Sequence, residues 1–304
     1  MQNDDQSHNI VIILNYNDGL DTIKICKKFA SYSIIDRVIV VDNASTDNSY
    51  ELFQHHLCSN SKIAVLETDE NLGYARGNNF GVKYIQKKYP KCKNLIFSNS
   101  DLAVEEDAIC RLVKFSELGP KNLGIIAPVE ESVARKKFAY TVNLPTFQQD
   151  ICSMLLPLGL YKPKKLRGEI KQTLNENVCE SEIITGALFL IRFSTFLSLG
   201  MFDERTFLFG EERILGYKNK IRNNKSFLIY SIQYSHTGSK IISTTFSILN
   251  RFRILYKSRR VFWQNFVKID SARLLLYDFI SIISIFEIRV LLVMKGCLYA
   301  LRKH

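Results

Sequence analysis

An aspartate ends the apolar segment "LIFSNSDL" (95–102), in which Ser98, Asn99, Ser100 and Asp101 close what reads as a buried strand. Residues of these types are common in turns, because their side chains hydrogen-bond to nearby backbone groups. A carboxylate at this position can instead hold a hard cation such as Mg²⁺ or Mn²⁺, which prefers oxygen ligands. The apolar runs earlier in the chain favour the interpretation as a cation site, because they also end in polar residues.

Four β-branched, apolar runs in the first third of the chain end in polar residues, and helix-like stretches separate them. This alternation predicts a parallel sheet covered on both faces. In such sheets ligands bind beyond the carboxyl ends of the strands, so we expect the polar ends to line one crevice. The four runs are "NIVIILNYN" (9–17), "DRVIVVDNAS" (36–45), "KIAVLETDEN" (62–71) and "KNLIFSNSD" (93–101).

Further residues could work with these strand ends. Glu211 and Glu212 are adjacent, and either could remove a proton from a hydroxyl group. The segment 226–239, "SFLIYSIQYSHTGS", predicts another strand with His236 past its end, and His236 could be a second cation ligand or a structural histidine. The sequence leaves both questions open.

Several residues suit a nucleotide diphosphate. Tyr16 could stack on a base, and Asp42 could accept hydrogen bonds from it. The stretch "NLGYARGNNFG" opens a predicted helix, where free backbone N–H groups favour anions. Within it, Arg76, Asn78 and Asn79 could bind ribose or diphosphate. The alternatives are that Tyr16 only packs, that Asp42 only caps a helix and that Arg76 is an ordinary surface residue.

Seven motifs in register resemble glycosyltransferase family 2, in particular its rhamnosyltransferase-like bacterial branch. The resemblance covers roughly residues 9–240 and implies the GT-A fold, an α/β architecture with a mostly parallel, Rossmann-like sheet flanked by helices. It also implies inverting transfer from a nucleoside-diphosphate sugar with the help of a divalent cation. The motifs are "VIILNYN", "VVDNASTDNS", "NLGYARGNNFGV", "IFSNSDLAV", "ITGALFLIR", "LGMFDERTFLFGEE" and "YSHTGS".

The resemblance assigns roles to individual residues. Asp42 matches the aspartate that recognises the nucleotide. Asn99-Ser100-Asp101 matches the family's Asp-any-Asp motif, with Asn99 replacing the first aspartate, so that Asp101 inherits the metal role and Asn99 and Ser100 lie beside the donor. His236 matches a histidine near the metal and the phosphates.

Two departures from the family pattern concern the catalytic base. Glu212 stands where the family usually has an aspartate, which makes the side chain one methylene longer without changing its basicity much. Ile214 stands where the family often carries another acid. The choice between Glu211 and Glu212 therefore stays open, and so does a non-catalytic, degenerate transferase that binds a glycan or a partner.

Composition narrows the class of protein. The chain has 304 residues, of which 46% are hydrophobic, so it can build a large α/β domain. Its seven cysteines are scattered and never form a CxxC pair, which indicates reduced thiols in a cytosolic protein rather than a zinc cluster or a disulfide framework. The polar N-terminus, "MQNDDQSHN", does not resemble a secretory signal.

The charge distribution singles out the end of the chain. The net charge is +11, and residues 251–273 carry seven basic residues against one acid, Asp270. The apolar segment that follows never reaches the roughly 18–20 uninterrupted apolar residues of a spanning helix. We therefore expect amphipathic helices at 246–304, lying on a membrane or packed on the domain, after a GT-A domain at 1–245.

The middle of the chain loses the alternating rhythm. Residues 128–180 carry charged and proline-containing runs that predict loops or a mobile flap. Order returns at 183–192 with a predicted strand, followed by a short helix and a Gly-Met-Phe-Asp turn that begins at Gly200.

These observations lead to one expected function. We expect a cytoplasmic transferase, peripheral to the inner face of the plasma membrane, that moves a hexose or deoxyhexose from a uridine or deoxythymidine diphosphate sugar. The expected acceptor is a lipid-linked intermediate of bacterial surface polysaccharide, O-antigen or capsule. A nicotinamide dehydrogenase would need GxGxxG where this chain has "NYNDGLDT", and a sugar-nucleotide pyrophosphorylase would need a glycine-rich, basic loop there. Nucleic acid ranks low because the basic residues lack interleaved aromatics.

Overall fold

The computed structural model describes residues 8–134, 140–155, 166–167, 169–184, 186–236 and 246–301, and the side chains of 140, 166–167 and 295–301 are left out of the description. The predicted polar N-terminus (1–7), parts of the predicted flap (135–139, 156–165, 168) and the end of the predicted strand (237–239) lie outside the described residues.

The first half of the chain alternates strands and helices. The elements are β1 (His8–Asn15), α1 (Gly19–Ser31), β2 (Arg37–Asp42), α2 (Ser49–His56), β3 (Ile63–Glu67), α3 (Gly73–Lys88), β4 (Cys92–Ser98), β5 (Leu102–Ala103), α4 (Glu106–Leu118) and β6 (Leu123–Glu130).

The second half contains shorter strands and ends in helices. The elements are α5 (Glu131–Ala134), β7 (Tyr140–Thr141), α6 (Phe147–Met154), β8 (Leu166–Arg167), β9 (Lys171–Thr173), β10 (Glu176–Glu180), β11 (Leu188–Arg192), α7 (Phe193–Ser198), α8 (Glu211–Ile221), β12 (Lys225–His236), α9 (Ile248–Val261), a π-helix (Phe262–Val267) and α10 (Ser271–Leu301).

One mixed sheet organises the molecule, with strand order β3-β2-β1-β4-β11-β6-β12-β10-β9. Strands β3, β2, β1 and β4 run parallel, as the sequence predicts, and β6 is parallel to β12. Strand β11 is antiparallel to both β4 and β6, and β10 is antiparallel to β12. The expectation of a mostly parallel sheet is thus confirmed for the first four strands, whereas the sheet as a whole is mixed.

Alternate residues of the central strands enter two separate cores. In β1, Val11 and Ile13 pack into the cluster that also holds Phe29 of α1, whereas Ile10 and Ile12 pack on the other face with Val82 of α3. This alternation follows from the two-residue period of a strand. Continuous apolar runs in β1 and β2 therefore reflect burial on both faces of the sheet.

The expectation of loops throughout 128–180 is wrong for the strands that extend the sheet. The β9–β10 hairpin adds an edge to β12 through pairs such as Val178–Ile229. All three residues of β9 are exposed, so the apolar run that marks a buried strand is missing there. The predicted strand at 183–192 is also shorter, and its hydrogen-bonded part begins at Leu188.

The C-terminal helices pack on the domain by one face. Tyr256, Phe262, Trp263 and Tyr277 form a core with Ile214 of α8. Helix α10 is tied to α9, since the Tyr277 hydroxyl donates to the Tyr256 carbonyl at 3.0 Å. Within the described ranges, no helix has the length and continuous apolarity needed to cross a bilayer. The boundary between 1–245 and 246–304 stays a prediction.

A buried ionic cluster around Asp150 joins α6, α8 and the C-terminal helices. Asp150 is 2% exposed and accepts hydrogen bonds from Arg213 (2.7 and 3.2 Å) and from the Trp263 indole (2.7 Å). Arg259 adds an ion pair at 3.2 Å. Burial opposes ionisation of Asp150, but the two guanidinium groups prevail and lower the pKa of its carboxyl.

Replacing Asp150 with alanine should destabilise the protein by about 3–5 kcal/mol, because Arg213 and Arg259 would stay largely buried without their counter-ion. Urea unfolding at pH 7 measures this loss. Since the folded-state pKa of Asp150 lies below its ordinary value, the stabilisation is complete above about pH 4 and disappears as the pH falls through the folded-state pKa.

Glu117→Ala is a matched control, because Glu117 pairs with Lys93 at 2.6 Å but is 42% exposed. Its loss should cost less than about 1 kcal/mol. Equal effects of the two substitutions would contradict the structural role of Asp150.

Candidate active site

The ends of β1, β2 and β3 lie level at one edge of the sheet. Asn15 pairs in register with Asp42, and Asp42 with Glu67. Strand β4 ends nearby, since Ser98 pairs with Ile13 of β1. The predicted meeting of polar strand ends therefore has a structural basis in the strand register.

Asp42 organises the loops after β1 and β2. It is 1% exposed, and its Oδ1 accepts from the Asn15 amide at 2.7 Å and from the Ser45 hydroxyl at 2.6 Å. The Ser45 hydroxyl also accepts from the backbone N–H of Asn17 at 3.0 Å, so both loops share one network. Between Asn15 and Asn17, Tyr16 is partly buried.

Asp101 and His236 meet because β5 pairs with the end of β12. The register places His236 opposite Leu102, and the His236 Nδ1 lies 3.5 Å from Asp101 Oδ2. The Asp101 and His236 side chains are 16% and 34% exposed, so both remain open to a ligand. The sequence suggested His236 as a second cation ligand beside Asp101, and the structure supplies the strand pairing that joins the two residues.

Asp18 is a site residue that the sequence analysis missed. It accepts a hydrogen bond from the Ser100 hydroxyl at 2.5 Å, next to Asp101. Burial, together with the charges of Asp21 and Asp101 and against the Ser100 hydrogen bond, raises the pKa of Asp18 to about 6. The sequence did contain a signal for it, because Asp18 follows the polar end of β1 and is a third acid at a strand end, besides Asp42 and Asp101.

The segment Gly186–Ala187 connects Glu212 on α8 with the loop after β4 that carries Asp101. The backbone N–H of Asn99 donates to the Ala187 carbonyl at 2.8 Å, and the N–H of Gly186 donates to Glu212 Oε1 at 2.7 Å. The Tyr74 hydroxyl donates to the Gly186 carbonyl at 3.2 Å. A Cβ on Gly186 would lie 2.9 Å from Glu212 Oε1, so glycine allows this close approach.

Glu211 and Glu212 differ in their surroundings. Helix α8 starts after Gly210, whose φ of +85° suits glycine. Glu211 is 6% exposed, and its Oε2 has no hydrogen-bond partner in the described part of the chain. Burial and the charge of Glu212 raise the pKa of Glu211 to about 8. Burial also raises the pKa of Glu212, against the Gly186 N–H and Arg213, which lower it.

The three predicted donor-binding residues on α3 contact different partners. Arg76 is 47% exposed and lies 3.5 Å from Glu70. Asn78 is buried and donates to the Tyr74 carbonyl at 2.9 Å. Asn79 is buried and exchanges hydrogen bonds with the backbone of Phe202, at 3.0 and 3.2 Å. The amide of Asn79 thus holds the turn after Gly200, and Arg76 is the exposed member of the three.

The family profile described as Glycosyl transferase family 2 matches residues 10–196, which is more than half of the chain. The chain belongs to this family. The family resemblance is thereby confirmed, and with it the general activity of a glycosyltransferase. Two of the seven motifs, at 199–212 and 234–239, follow the matched residues.

Known proteins agree with this placement. The chain is 23% identical over 235 residues to the rhamnosyltransferase WbbL of Escherichia coli K12, covering 74% of this chain and 86% of WbbL. The mannosyltransferase PcManGT of Pyrobaculum calidifontis, solved with GDP-Man and Mn²⁺, superposes with a TM-score of 0.56 at 13% identity, covering 97% of this chain and 80% of that one.

A further solved structure, GalNAc-T7 with UDP, GalNAc and Mn²⁺, has a TM-score of 0.59 at 15% identity and covers 86% of this chain. This chain spans about half of GalNAc-T7, 48% of its length. At such identities the structural likeness shows the fold, and the predicted GT-A architecture is confirmed.

Glu211→Gln should stabilise the protein, by on the order of 1 kcal/mol or more at pH 8. The folded-state pKa of Glu211 lies above that of the unfolded chain, so the folded state binds more protons and wild-type stability falls as the pH rises from about 4.5 to 8. Glutamine carries no charge and escapes this penalty. Thermal unfolding of both proteins at pH 5 and pH 8 measures the difference.

Glu117→Gln is the control, because Glu117 is 42% exposed and its replacement should leave the melting temperature nearly unchanged at both pH values. A gain from Glu211→Gln that is no larger at pH 8 than at pH 5 would contradict the raised pKa assigned to the buried Glu211.

Proposed function

We propose that the chain is an inverting glycosyltransferase that transfers a sugar from a nucleoside-diphosphate sugar to a hydroxyl group of a glycan acceptor. The observation that carries the proposal is the link between two carboxylates from distant parts of the sequence. Glu212 is bonded to Gly186, the next residue Ala187 is bonded to Asn99, and Asp101 follows two residues later. The residues that we propose as base and cation ligand would thus be positioned by one backbone segment.

Asp101 and His236 would hold a divalent cation. Their carboxylate and imidazole suit Mn²⁺ or Mg²⁺, and the Mn²⁺ in the structures of PcManGT and GalNAc-T7 supports the choice. No three carboxylate, imidazole or thiolate groups form a complete metal cage in the described ranges, so the diphosphate and water would complete the coordination. When bound, the cation offsets the negative charge that develops on the leaving diphosphate.

Glu212 would act as the general base. Its partly buried carboxylate takes the proton of the acceptor hydroxyl, whose oxygen forms a bond to the anomeric carbon while the bond from that carbon to the diphosphate breaks. A single in-line displacement inverts the anomeric configuration. Glu211, whose pKa is raised to about 8, is mostly neutral at pH 7 and would not compete for this proton.

The donor would lie along the edge formed by β1, β2 and β4. We assign the base of the nucleotide to Tyr16 and the network of Asp42, and the diphosphate to Ser100 and the exposed Arg76. Asn99 would border the sugar. Asn78 and Asn79 would act indirectly, by ordering α3 and the Phe202 turn. A uridine or deoxythymidine donor carrying a hexose or deoxyhexose fits this assignment, and the similarity to WbbL supports a deoxyhexose such as rhamnose.

The acceptor we propose is a lipid-linked intermediate of bacterial surface polysaccharide, such as O-antigen or capsule, reached at the inner face of the plasma membrane. The C-terminal helices support it, because they combine basic and apolar residues on the outside of the domain. The enzyme would touch the membrane peripherally through these helices.

Glu212→Gln should lower sugar transfer about 10²–10⁴-fold, because the amide cannot accept the acceptor proton. The measurement is Mn²⁺-dependent release of nucleoside diphosphate across a panel of sugar nucleotides, with and without acceptor. Glu117→Gln, far from the strand ends, should release product at the wild-type rate. Wild-type release in Glu212→Gln, or none in the wild type with any donor, would favour a non-catalytic, glycan-binding protein.

Asp101→Asn should raise the Mn²⁺ concentration needed for half-maximal activity at least tenfold, because it removes a charged oxygen ligand. Titration of Mn²⁺ into each protein at saturating donor measures this shift. An unchanged Mn²⁺ requirement would remove Asp101 from the cation site.

Transfer should increase with pH, and the midpoint of the rise should lie above 4.5, because burial raises the pKa of Glu212 and only its deprotonated form acts as a base. A pH profile of kcat/KM measures the midpoint, with Glu212→Asp as the variant that keeps a carboxylate. A rising limb that survives in Glu212→Gln would assign the titration to another group.

A further inference from the structure

Helix α10 carries an exposed apolar stripe on the side that faces away from the domain. Tyr277 and Ser284 are buried against α9, whereas the stripe lies on the opposite side of the helix. Spacings of three and four residues align its members along one face. They are Leu275 (69% exposed), Phe279 (60%), Ile282 (69%), Phe286 (65%), Val290 (41%) and Val293 (62%).

A basic groove runs beside this α10 stripe. It encloses about 370 Å³ between α9 and α10, and Ile282 belongs to both the groove and the stripe. Arg253, Lys257 and Arg260 supply the positive charge on the α9 side. Arg260 is neutralised by Asp278 at 2.6 Å.

The other two cations of the groove have no counter-ion among the described residues. Arg253 and Lys257 are exposed and four residues apart on α9, and neither pairs with a carboxylate in the described part of the chain. Two unneutralised cations therefore adjoin an apolar stripe about 27 Å long by the rise of a helix. An anionic group with an attached apolar tail matches both features.

We propose that the α10 stripe and the basic groove bind the surface of a bilayer that contains anionic phospholipid. The phosphate headgroups would contact Arg253 and Lys257, and the acyl chains would contact Phe279, Ile282 and Phe286, so that α10 lies in the plane of the interface. This inference gives residues and ligand chemistry to the membrane contact of the proposed function, and its test does not depend on catalysis.

Charge distinguishes the bilayer from a second copy of the chain. Ile282 lies near the middle of the stripe, and a two-fold dimer along the stripe would bring two basic grooves close together. Four unneutralised cations would then repel one another, whereas an anionic bilayer neutralises them at about a fivefold gain in binding for each residue. The stripe alone fits either partner, and the groove selects the bilayer.

The experiment measures vesicle co-sedimentation of the full chain. The vesicles contain phosphatidylcholine alone or a 70:30 mixture of phosphatidylcholine and phosphatidylglycerol. The wild type should bind the mixed vesicles at 0.1 M NaCl, bind phosphatidylcholine vesicles at least tenfold more weakly, and lose most of the difference at 0.5 M NaCl, where exposed charges are screened. Equal binding to both kinds of vesicle, or to neither, overturns the proposal.

Substitutions separate the two parts of the surface. Arg253→Glu/Lys257→Glu and, separately, Phe279→Glu should each weaken binding to mixed vesicles at least tenfold. Lys87→Glu/Lys88→Glu is the matched charge control on the exposed last turn of α3, and Leu118→Glu is the matched apolar control, since Leu118 is also 60% exposed. Binding by the controls should stay within twofold of the wild type, and equal losses in variants and controls overturn the proposal.

Two parallel measurements keep the result interpretable. Circular dichroism confirms that the variants fold, which is expected because the substituted side chains are exposed. Light scattering reports the oligomeric state, and a wild-type dimer that Phe279→Glu dissociates, without vesicle binding, would assign the surface to a second copy. Donor cleavage without lipid is followed in the same samples, so that a failure of the proposed chemistry leaves the vesicle result standing.

Discussion

The hydrogen-bonded segment Gly186–Ala187 is the constraint on which the site depends. It lies just before β11, the antiparallel strand between β4 and β6, and therefore passes the end of β4 where Asn99 begins the acidic loop. Glycine at 186 lets the Glu212 carboxylate approach the backbone closely. Glu212, proposed as the base, and the loop that carries Asp101, proposed as a cation ligand, are thus hydrogen-bonded to the same backbone segment. Positioning of this kind would lower the barrier of the proposed two-substrate reaction.

Buried carboxyl groups have different charge states in the candidate site and at the junction with the C-terminal helices. In the candidate site, at the strand ends and at the start of α8, burial raises the pKa values of Asp18, Glu211 and Glu212, so the site holds carboxylates that favour a proton or a cation. At the junction with the C-terminal helices, Asp150 is also buried but stays ionised between two guanidinium groups. Because Arg213 follows Glu212 directly, the junction that anchors α9 and the π-helix also fixes the start of α8.

The C-terminal helices illustrate where a sequence pattern is ambiguous. The basic and apolar residues after 246 predict either a membrane surface or packing on the domain. In the structure, Tyr256, Trp263 and Tyr277 pack on the domain, whereas the α10 stripe faces away from it. Composition cannot separate these two faces, because α10 has apolar residues all around and only its contacts distinguish buried from exposed positions. Asp150 is a second example: it lies in a segment predicted as a loop, and only its contacts show that it is buried.

The sequence by itself determined the first four strands, the polar character of their ends and the family, because burial on both faces of a parallel strand demands a continuous apolar run. The tertiary structure decided the contacts between site residues that are far apart in the chain, because only long-range pairing of strands and turns brings them together. The pairing of β5 with β12 joins Asp101 to His236, the turn at Phe202 engages Asn79, and the return of β11 carries Gly186 to Glu212. Each contact joins residues far apart in the chain, so no local pattern of residue types records it.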